Sequence, residues 1–318
     1  MGGSIKKKEI SVIICTHNPR KDYLEKVILS LRNQFLPTKY WEIVLIDNAS
    51  SPAIVLGTEL SWHSDVRLIY EEKVGLTQAR LAGIQESKGE LIVFVDDDNV
   101  LEPSYLKIAY QIGKEYPSLG AWGGQTLPCF ETQPPDWTRV CWEYLGIRTF
   151  NTDRRTKEPN MSATPIGAGI CIRRSVAKQY SESAIKNHAR LSLGRSGTNL
   201  YGHEDIDLAY ASFDLDLEVG IFKDLKLTHL MPSNRLKPDY LFRLAEGTGY
   251  SETWIAFQRG FLPSMRTFRG KLRITFPWLL NPKTYFLNPN MRKFFYHNTQ
   301  GRVKAMREIA VLERSKLS

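Results

Sequence analysis

Cysteine is scarce in this chain. Four occur in 318 residues, Cys15, Cys129, Cys141 and Cys171, with no CxxC pair and no metal-ligand spacing. That argues against a disulfide-stapled secreted fold and a cysteine-zinc module, and predicts reduced thiols in a cytosolic protein. The basic start MGGSIKKKEI lacks the pattern of a secretory signal. Apolar runs never approach the roughly 18 residues that a membrane-spanning helix needs. Neither GxGxxG nor GxxxxGKS/T follows any apolar run, so the usual dinucleotide and P-loop readings lose their main support. Internal repeats and low-complexity tracts are absent as well.

What is present is ordinary in amount and uneven in distribution. Hydrophobic residues make up 42% and charged residues 24%, normal for a globular protein with one large α/β domain or a domain and an appendage. The net charge of +9 is not spread evenly. From Ser233 to Ser318 there are 16 Lys and Arg against 5 Asp and Glu, a balance of +11, and the remainder carries −2. The basicity therefore belongs to the C-terminal segment, which is suited to an anionic surface, while the main domain has a different job.

The apolar pattern alternates between two kinds of element. EISVIICTH (Glu9 to His17) is a short apolar run ending in polar residues, as a buried parallel strand does. In NPRKDYLEKVILSLRNQ, Leu24, Val27, Ile28 and Leu31 recur at helical spacing. WEIVLIDNASS is a second strand and VRLIYEEK (Val66 to Lys73) a third. GLTQARLAGIQESKG is a helix with glycine at its end, and ELIVFVDDD is a fourth strand. This alternation predicts a Rossmann-like α/β fold, a mostly parallel sheet flanked by helices. Further on, VLEPSYLKIAYQIG reads as helix, LGAWGGQTLP as a strand kinked by glycines, and PPDWTRVCWEYLG as a Trp-rich segment. TDRRTKEPNMS reads as an exposed loop, and TPIGAGICIRRSVAKQY as a Gly-rich turn, a short strand and a helix start. YGHEDIDLAYASF sets Ile206, Ala209, Tyr210 and Phe213 on one helical face. LEVGIFKDLKLTHLMP resembles a final edge strand ending at His229.

Ligands of open parallel sheets sit beyond the carboxyl ends of the strands. Three strands deliver polar clusters there: Thr16-His17-Asn18, Asp47-Asn48, and Asp96-Asp97-Asp98. The aspartate triplet needs a physical cause, since two like charges about 4 Å apart repel by about 4 kcal/mol at an effective dielectric of about 20. A bound divalent cation would relieve that repulsion. A solvated acidic turn capping the next helix is the alternative. Side chains two apart on a strand point the same way, so Asp96 and Asp98 can face one ligand.

Taken together, SVIICTHNPR, EIVLIDNASS, VGLTQARLAGIQESKGELIVFVDDDNVLEPSYL, PIGAGICIRR and GHEDIDLA resemble a family 2 glycosyltransferase of the GT-A fold. The match is dense from about Glu9 to Tyr105 and continues as separate motifs to about His229. The resemblance implies a nucleotide-sugar-binding half (1–118), an acceptor-binding and catalytic half (119–232), and a basic, aromatic, mainly helical extension (233–318). It implies a divalent metal, Mn2+ or Mg2+, bridging the phosphates of a nucleotide-sugar donor. Asp98 corresponds to the metal ligand of the DxD motif, and Asp96 to a contact with ribose or the metal shell; Asp97 sits with them at the donor. Thr16, Asn18 and Arg20 correspond to the first nucleotide-binding loop.

Asp47 corresponds to the acid that hydrogen-bonds the base, and an acceptor-only carboxylate suits the N3–H of uracil or thymine; an Asx turn is the alternative. UDP is thus the favoured carrier and dTDP the next. Asn48 and His17 line the same loop. Lys73 and Arg80 fall in the segment beside the donor, where Arg80 can reach phosphate or form a salt bridge on its helix. Asp205 corresponds to the base that takes the acceptor's proton, with Glu204 orienting it; both acids, and Asp207, also suit a helix N-terminus. A late histidine, His229, corresponds to a third metal ligand and favours manganese. Gly167 and Gly169 let backbone approach donor or acceptor, or form a tight turn. The family implies inversion through an oxocarbenium-like transition state.

The basic tail interleaves aromatics, in FQRGFLPSMRTFRGKLRITFPWLL and FLNPNMRKFFYHN. An anionic membrane face, with Trp278, Phe294, Phe295 and Tyr296 at headgroup level, is the favoured partner. Packing of the aromatics onto the catalytic domain is the second reading, and nucleic acid the last. The membrane reading gives a lipid-linked glycan acceptor its purpose and puts the enzyme in the cytoplasm, peripheral on the inner face of the membrane. Two other functions stand beside a transferase. One is a sugar nucleotidyltransferase, whose Gly-rich basic signature CTHNPRK lacks. The other is a nucleotide-sugar-binding scaffold without turnover, which the intact DDD and HED segments oppose.

Overall fold

The computed structural model describes residues 8–315 except 192–193, 196, 198, 266 and 276–286, so Trp278 lies outside the described residues. The first four strands are β1 (Ile10–Thr16), β2 (Trp41–Asp47), β3 (Val66–Tyr70) and β4 (Leu91–Asp96). They pair in parallel in the order β3-β2-β1-β4, with Thr16 opposite Asp47 and Cys15 opposite Asp96. Three of the four strands therefore end level with one another, which is why their polar tails share one edge.

Alternation along β1 divides the core. Ile10, Val12 and Ile14 join one apolar cluster with Val27 and Leu31 of α1 (Lys21–Arg32) and Ala109 of α3 (Tyr105–Glu115). Ile13 and Cys15 join the other, with Ala79 and Ile84 of α2 (Leu76–Glu86) and Val176 and Tyr180 of α4 (Arg174–Ile185). Side chains of period two thus feed two helical layers. Ser11 lies between and is fully buried, yet polar. Its hydroxyl donates to the buried Glu42 carboxylate (2.6 Å), which also accepts from Arg67 (2.9 Å) and the Lys88 amide (2.6 Å). A buried carboxylate this well supplied with donors costs little to keep.

Beyond β4 the sheet turns antiparallel. β8 (Cys171–Arg173) pairs with β4 and with β6 (Leu119–Phe130), and β9 (Glu218–Met231) lies between β6 and β5 (Asn99–Leu101). Two arginines of GICIRR fasten helix ends. Arg173 donates to the carbonyls of Gly113 (2.7 Å) and Tyr116 (3.1 Å) at the end of α3, and Arg174 to that of Gly89 (2.7 Å) just past α2. Cations suit these carboxyl ends because the last carbonyls lack helical partners.

Three local expectations change. β9 is an interior strand, not an edge, because it also pairs with β7 (Arg154–Thr156), hidden in what reads as an exposed loop. Val100 and Leu101 belong to β5, which pairs with Leu227–Thr228 of β9, and the helix waits until Tyr105. Pro103 explains the delay, since the residue before a proline avoids helical backbone.

By contacts, Gly146–Leu191 and Asp205–Met231 group with the chain up to Cys129 as a sheet unit. A helical unit contains Phe130–Leu145, the described part of 192–204 and the chain from Pro232 onward. In that unit α7 (Pro238–Gln258) and α9 (Pro289–Ser315) run side by side in the same direction, with α8 (Phe268–Thr275) between them in sequence. Gly301 makes this possible: a Cβ there would stand 1.9 Å from the Glu246 carbonyl oxygen. Phe294 is fully buried, edge-on to Tyr144 at 4.9 Å. It is therefore withdrawn from the headgroup role expected of it, whereas Tyr296 is 60% exposed. No described helix is long and apolar enough to cross a membrane.

Burial sets the chemistry of the cysteines. Cys15, Cys141 and Cys171 are buried and Cys129 is exposed. Desolvation pushes the thiols of Cys15 and Cys141 up to about 12 and raises that of Cys171 further. A thiol reagent at mildly alkaline pH is expected to label Cys129 alone in the native protein, and the other three only after denaturation. Rapid native labelling of a second cysteine would contradict this packing.

Candidate active site

The three aspartates at the end of β4 each find a partner on a different element. Asp96 Oδ1 lies 3.6 Å from Nη2 of Arg80, a buried guanidinium of α2 that also sits 5.5 Å from the Phe94 ring. The hydroxyl of Thr16, the last residue of β1, donates to Asp97 Oδ2. Asp98 Oδ2 lies 3.3 Å from His229 Nε2 on β9, and its other oxygen accepts from Asn99 at 2.9 Å. Asp96 ends the strand, while Asp97 and Asp98 are in the turn that follows. Strand alternation therefore does not point Asp96 and Asp98 at one ligand. Among the described residues no group of three His, Cys, Asp or Glu side chains is placed to hold a metal.

Of the expected metal ligands Asp96, Asp98 and His229, the last two lie together while Asp96 is paired with Arg80. The pair is still suited to an ion. Two neighbouring ligands of an octahedral ion, each at about 2.1 Å, stand about 3 Å apart. Ions of this kind commonly take one or two protein ligands and complete the shell with water and phosphate.

On the far side of Arg80 lies the TPIGAGI turn. A Cβ on Gly167 would come within 2.6 Å of Arg80 Nη2 and 3.1 Å of Asp205 Oδ2, so a larger residue would require these side chains to shift. The Gly167 amide donates to Asp205 Oδ2 at 2.5 Å, and the Ile206 amide to Oδ1 at 2.9 Å. Gly169 differs. Its φ is +73°, as a turn requires, and its carbonyl accepts the buried Tyr105 hydroxyl at 2.7 Å. Glu204 and Asp205 begin α6 (Glu204–Tyr210), and Asp207 pairs with Arg190 at 3.2 Å. No local spacing points to Arg190, which reaches α6 from α5 (His188–Leu191).

The loops after β1 and β2 are tied together. The Asn18 amide donates to Ser50 Oγ (2.8 Å), and Asn18 Oδ1 accepts the Ser51 amide (2.8 Å). His17 Nδ1 lies 2.6 Å from the Asn48 carbonyl oxygen. Asp47 is buried and accepts the amides of Ser50 (3.0 Å) and Ile54 (2.8 Å), the Asx-type arrangement. Asn48 uses its whole amide on the loop after β3. It donates to the carbonyls of Glu71 (3.1 Å) and Lys73 (2.7 Å) and accepts the Gly75 amide (2.7 Å). Lys73 is exposed, and Arg20 pairs with Asp22 at 2.8 Å with its guanidinium 4.0 Å from the centre of the Tyr23 ring. Cys15 fills the space under the cluster. Burial raises its thiol most, Arg80 pulls it down, and Asp96 and Asp97 push it up.

The aspartate cluster at the carboxyl end of β4 and Asp205 of α6 are thus linked through Arg80 and the Gly167 backbone. The family model "Glycosyl transferase family 2" matches residues 11–181, more than half of the chain, and the protein belongs to that family. It is similar to a cholesterol galactosyltransferase of Borreliella burgdorferi, 30% identical over 112 residues, covering 35% of this chain and 30% of that protein. A longer, weaker match is to polypeptide N-acetylgalactosaminyltransferase 4 of Mus musculus, 24% identical over 77% of this chain and 43% of that one. The chain therefore spans less than half the length of either relative. Among solved structures, S. aureus TarS 1-349 in complex with UDP-GlcNAc shares the fold with a TM-score of 0.52 at 14% identity, covering 97% of this chain and 92% of that one.

Because Asn48 holds three backbone groups of the loop after β3, Asn48→Ala is expected to cost about 1–3 kcal/mol and to speed exchange at the Gly75 amide. Wild-type stability with an unchanged Gly75 amide would assign Asn48 to a ligand instead.

Proposed function

We propose that this chain is an enzyme that moves a sugar from a nucleotide-sugar donor, UDP favoured and dTDP next, to a hydroxyl of a glycan or lipid-linked glycan, in one inverting displacement. The observation that carries the reading is the approach of Arg80, paired to Asp96, and Asp205 to the same glycine backbone. A cation able to meet phosphate oxygens and a carboxylate able to take a proton then face one reaction centre. The S. aureus neighbour's complex with UDP-GlcNAc supports the choice of donor.

Asp205 acts as the base: the acceptor hydroxyl gives its proton to the carboxylate as its oxygen bonds the anomeric carbon. The bond from that carbon to the diphosphate breaks and the nucleoside diphosphate leaves. Glu204, the residue before it, orients the acceptor or the base. Two of the roughly four lone-pair sites of Asp47 hold the loop, and the others remain for the N3–H of a pyrimidine. Thr16 and Asn18 shape the base-side loop. Asp98 and His229 would hold a divalent ion, manganese favoured over magnesium, whose charge stabilises the departing diphosphate.

The test is release of nucleoside diphosphate from UDP-, dTDP- and GDP-sugars with manganese or EDTA. Metal-dependent release from one UDP-sugar is expected. Asp205→Asn should lower kcat about 10²–10⁴-fold with donor binding retained, and Asp98→Asn should weaken metal dependence. Absence of donor binding by calorimetry in manganese, or full turnover by Asp205→Asn, would overturn the reading.

The positive balance of the C-terminal segment supports contact with an anionic membrane through charge. In α9, Arg292, Lys293, Lys304 and Arg307 are exposed, while Phe294, Val303, Met306 and Ile309 are buried. Each exposed cation is worth about 1 kcal/mol near an anionic surface, so binding to phosphatidylserine vesicles is expected at low salt and lost at high salt. Failure to co-sediment at low salt removes the membrane from this account.

A further inference from the structure

The segment leading into Asp205 is fixed by a helix that carries none of the family's motifs. Leu200, Tyr201 and Gly202 lie against α7. A Cβ on Gly247 would stand 2.3 Å from the Leu200 carbonyl oxygen and 3.1 Å from the Tyr201 amide nitrogen. The Tyr201 ring stacks on Tyr250, centroids 4.7 Å apart and planes 17° from parallel. The Gly202 amide donates to Ser251 Oγ at 3.2 Å, and that hydroxyl is fixed by donating to the Gly247 carbonyl at 3.0 Å. Tyr250 is itself anchored to α9, through its hydroxyl to Glu308 (2.6 Å) and with Lys304 5.3 Å from its ring. His203 then takes a left-handed φ of +71° and Glu204 opens α6. By contacts the helical unit ends at Glu204 and Asp205 is the next residue of the sheet unit.

Two features make this more than casual packing. Glycine in a helix interior costs about 1 kcal/mol relative to alanine, and Gly247 sits where a side chain would push the 200–202 backbone away. The held segment is only three residues from Asp205, too short a stretch of chain to absorb a displacement. We propose that α7, through Gly247, Tyr250 and Ser251, is the positioning element for Asp205, so that the C-terminal extension takes part in the chemistry by fixing where α6 begins. The functional meaning rests on Asp205 acting as the base. The geometric part does not, because the Gly167 amide donates to Asp205 and reports its place directly.

The experiment compares Tyr201→Leu, Ser251→Ala and Gly247→Ala with the conservative Tyr201→Phe in the full chain. Amide exchange at Gly167 is read together with kcat and KM for UDP release from UDP-GlcNAc. In the first three variants exchange at Gly167 should rise at least about tenfold while the Ile13 and Val93 amides keep wild-type protection; Tyr201→Phe should match wild type. An ångström of misplacement can lower turnover by about 100-fold, so kcat should fall by that order with KM for the donor unchanged. Unchanged Gly167 exchange in Tyr201→Leu and Ser251→Ala overturns the proposal. So does a rise at Ile13 and Val93 as well, which would mean general loosening. Full turnover by Asp205→Asn would be a separate result: it would remove the base and leave the exchange result standing.

Discussion

Three adjacent carboxylates at the end of one strand are the constraint around which the sheet unit is arranged. Each neighbouring pair repels by several kcal/mol unless something intervenes. The fold answers with a partner from a separate element for each: the Arg80 guanidinium from α2, the Thr16 hydroxyl from β1 and the His229 imidazole from β9. Two ion pairs and one hydroxyl hydrogen bond of this kind offset part of the repulsion. The same partners also direct the carboxylates apart, so that Asp96 serves the arginine and Asp98 the histidine.

This division of labour makes the site dependent on the whole sheet. β9 must lie beside β5 to bring His229 opposite Asn99, which in turn places Asp98. α2 must pack over β1 and β4 to deliver Arg80, and Gly83 of α2 lies where a Cβ would meet Ile13 at 2.4 Å. Asn48 and Asp47 then shape the loops around the rim through backbone groups. Loops without regular structure can hold a ligand geometry only when side chains of this kind supply the missing ladder.

Much of the arrangement is legible from residues alone. The strand-helix alternation from Ile10 to Asp96 is read by period because those strands are apolar apart from single polar positions such as Ser11, Glu42 and Arg67 and the helices carry one buried face. The polar strand ends are legible for the same reason, since polarity there interrupts an otherwise uniform pattern. Pairings across the chain are not. Thr16 and Asp97 are 81 positions apart, and no local spacing says which aspartate the hydroxyl takes. Strand alternation does not reach Asp98, which lies two residues beyond the end of β4. β7 escaped notice because RRT is charged and exposed on both faces, and its strand character comes from β9 beside it.

The C-terminal segment was legible in charge and opaque in structure, and the reason is physical. Aromatic residues interleaved with arginine and lysine look alike whether the rings enter a membrane or a helical core. In α9 the rings and aliphatics at 294, 303, 306 and 309 go inward while lysines and arginines stay in water, the ordinary behaviour of an amphipathic helix. α7 is harder to read because it is packed on more than one side. Gly247 admits the 200–202 backbone, and Gly249 admits α9, where a Cβ would stand 2.2 Å from the Asn298 carbonyl oxygen. A helix packed this way has no single apolar stripe, and its glycines look like breakers until the neighbouring backbone is in view. The positive charge and the packing surface therefore occupy different parts of the same segment. Arg292, Lys293 and Arg307 are free of the packing against Tyr250, in which Lys304 takes part.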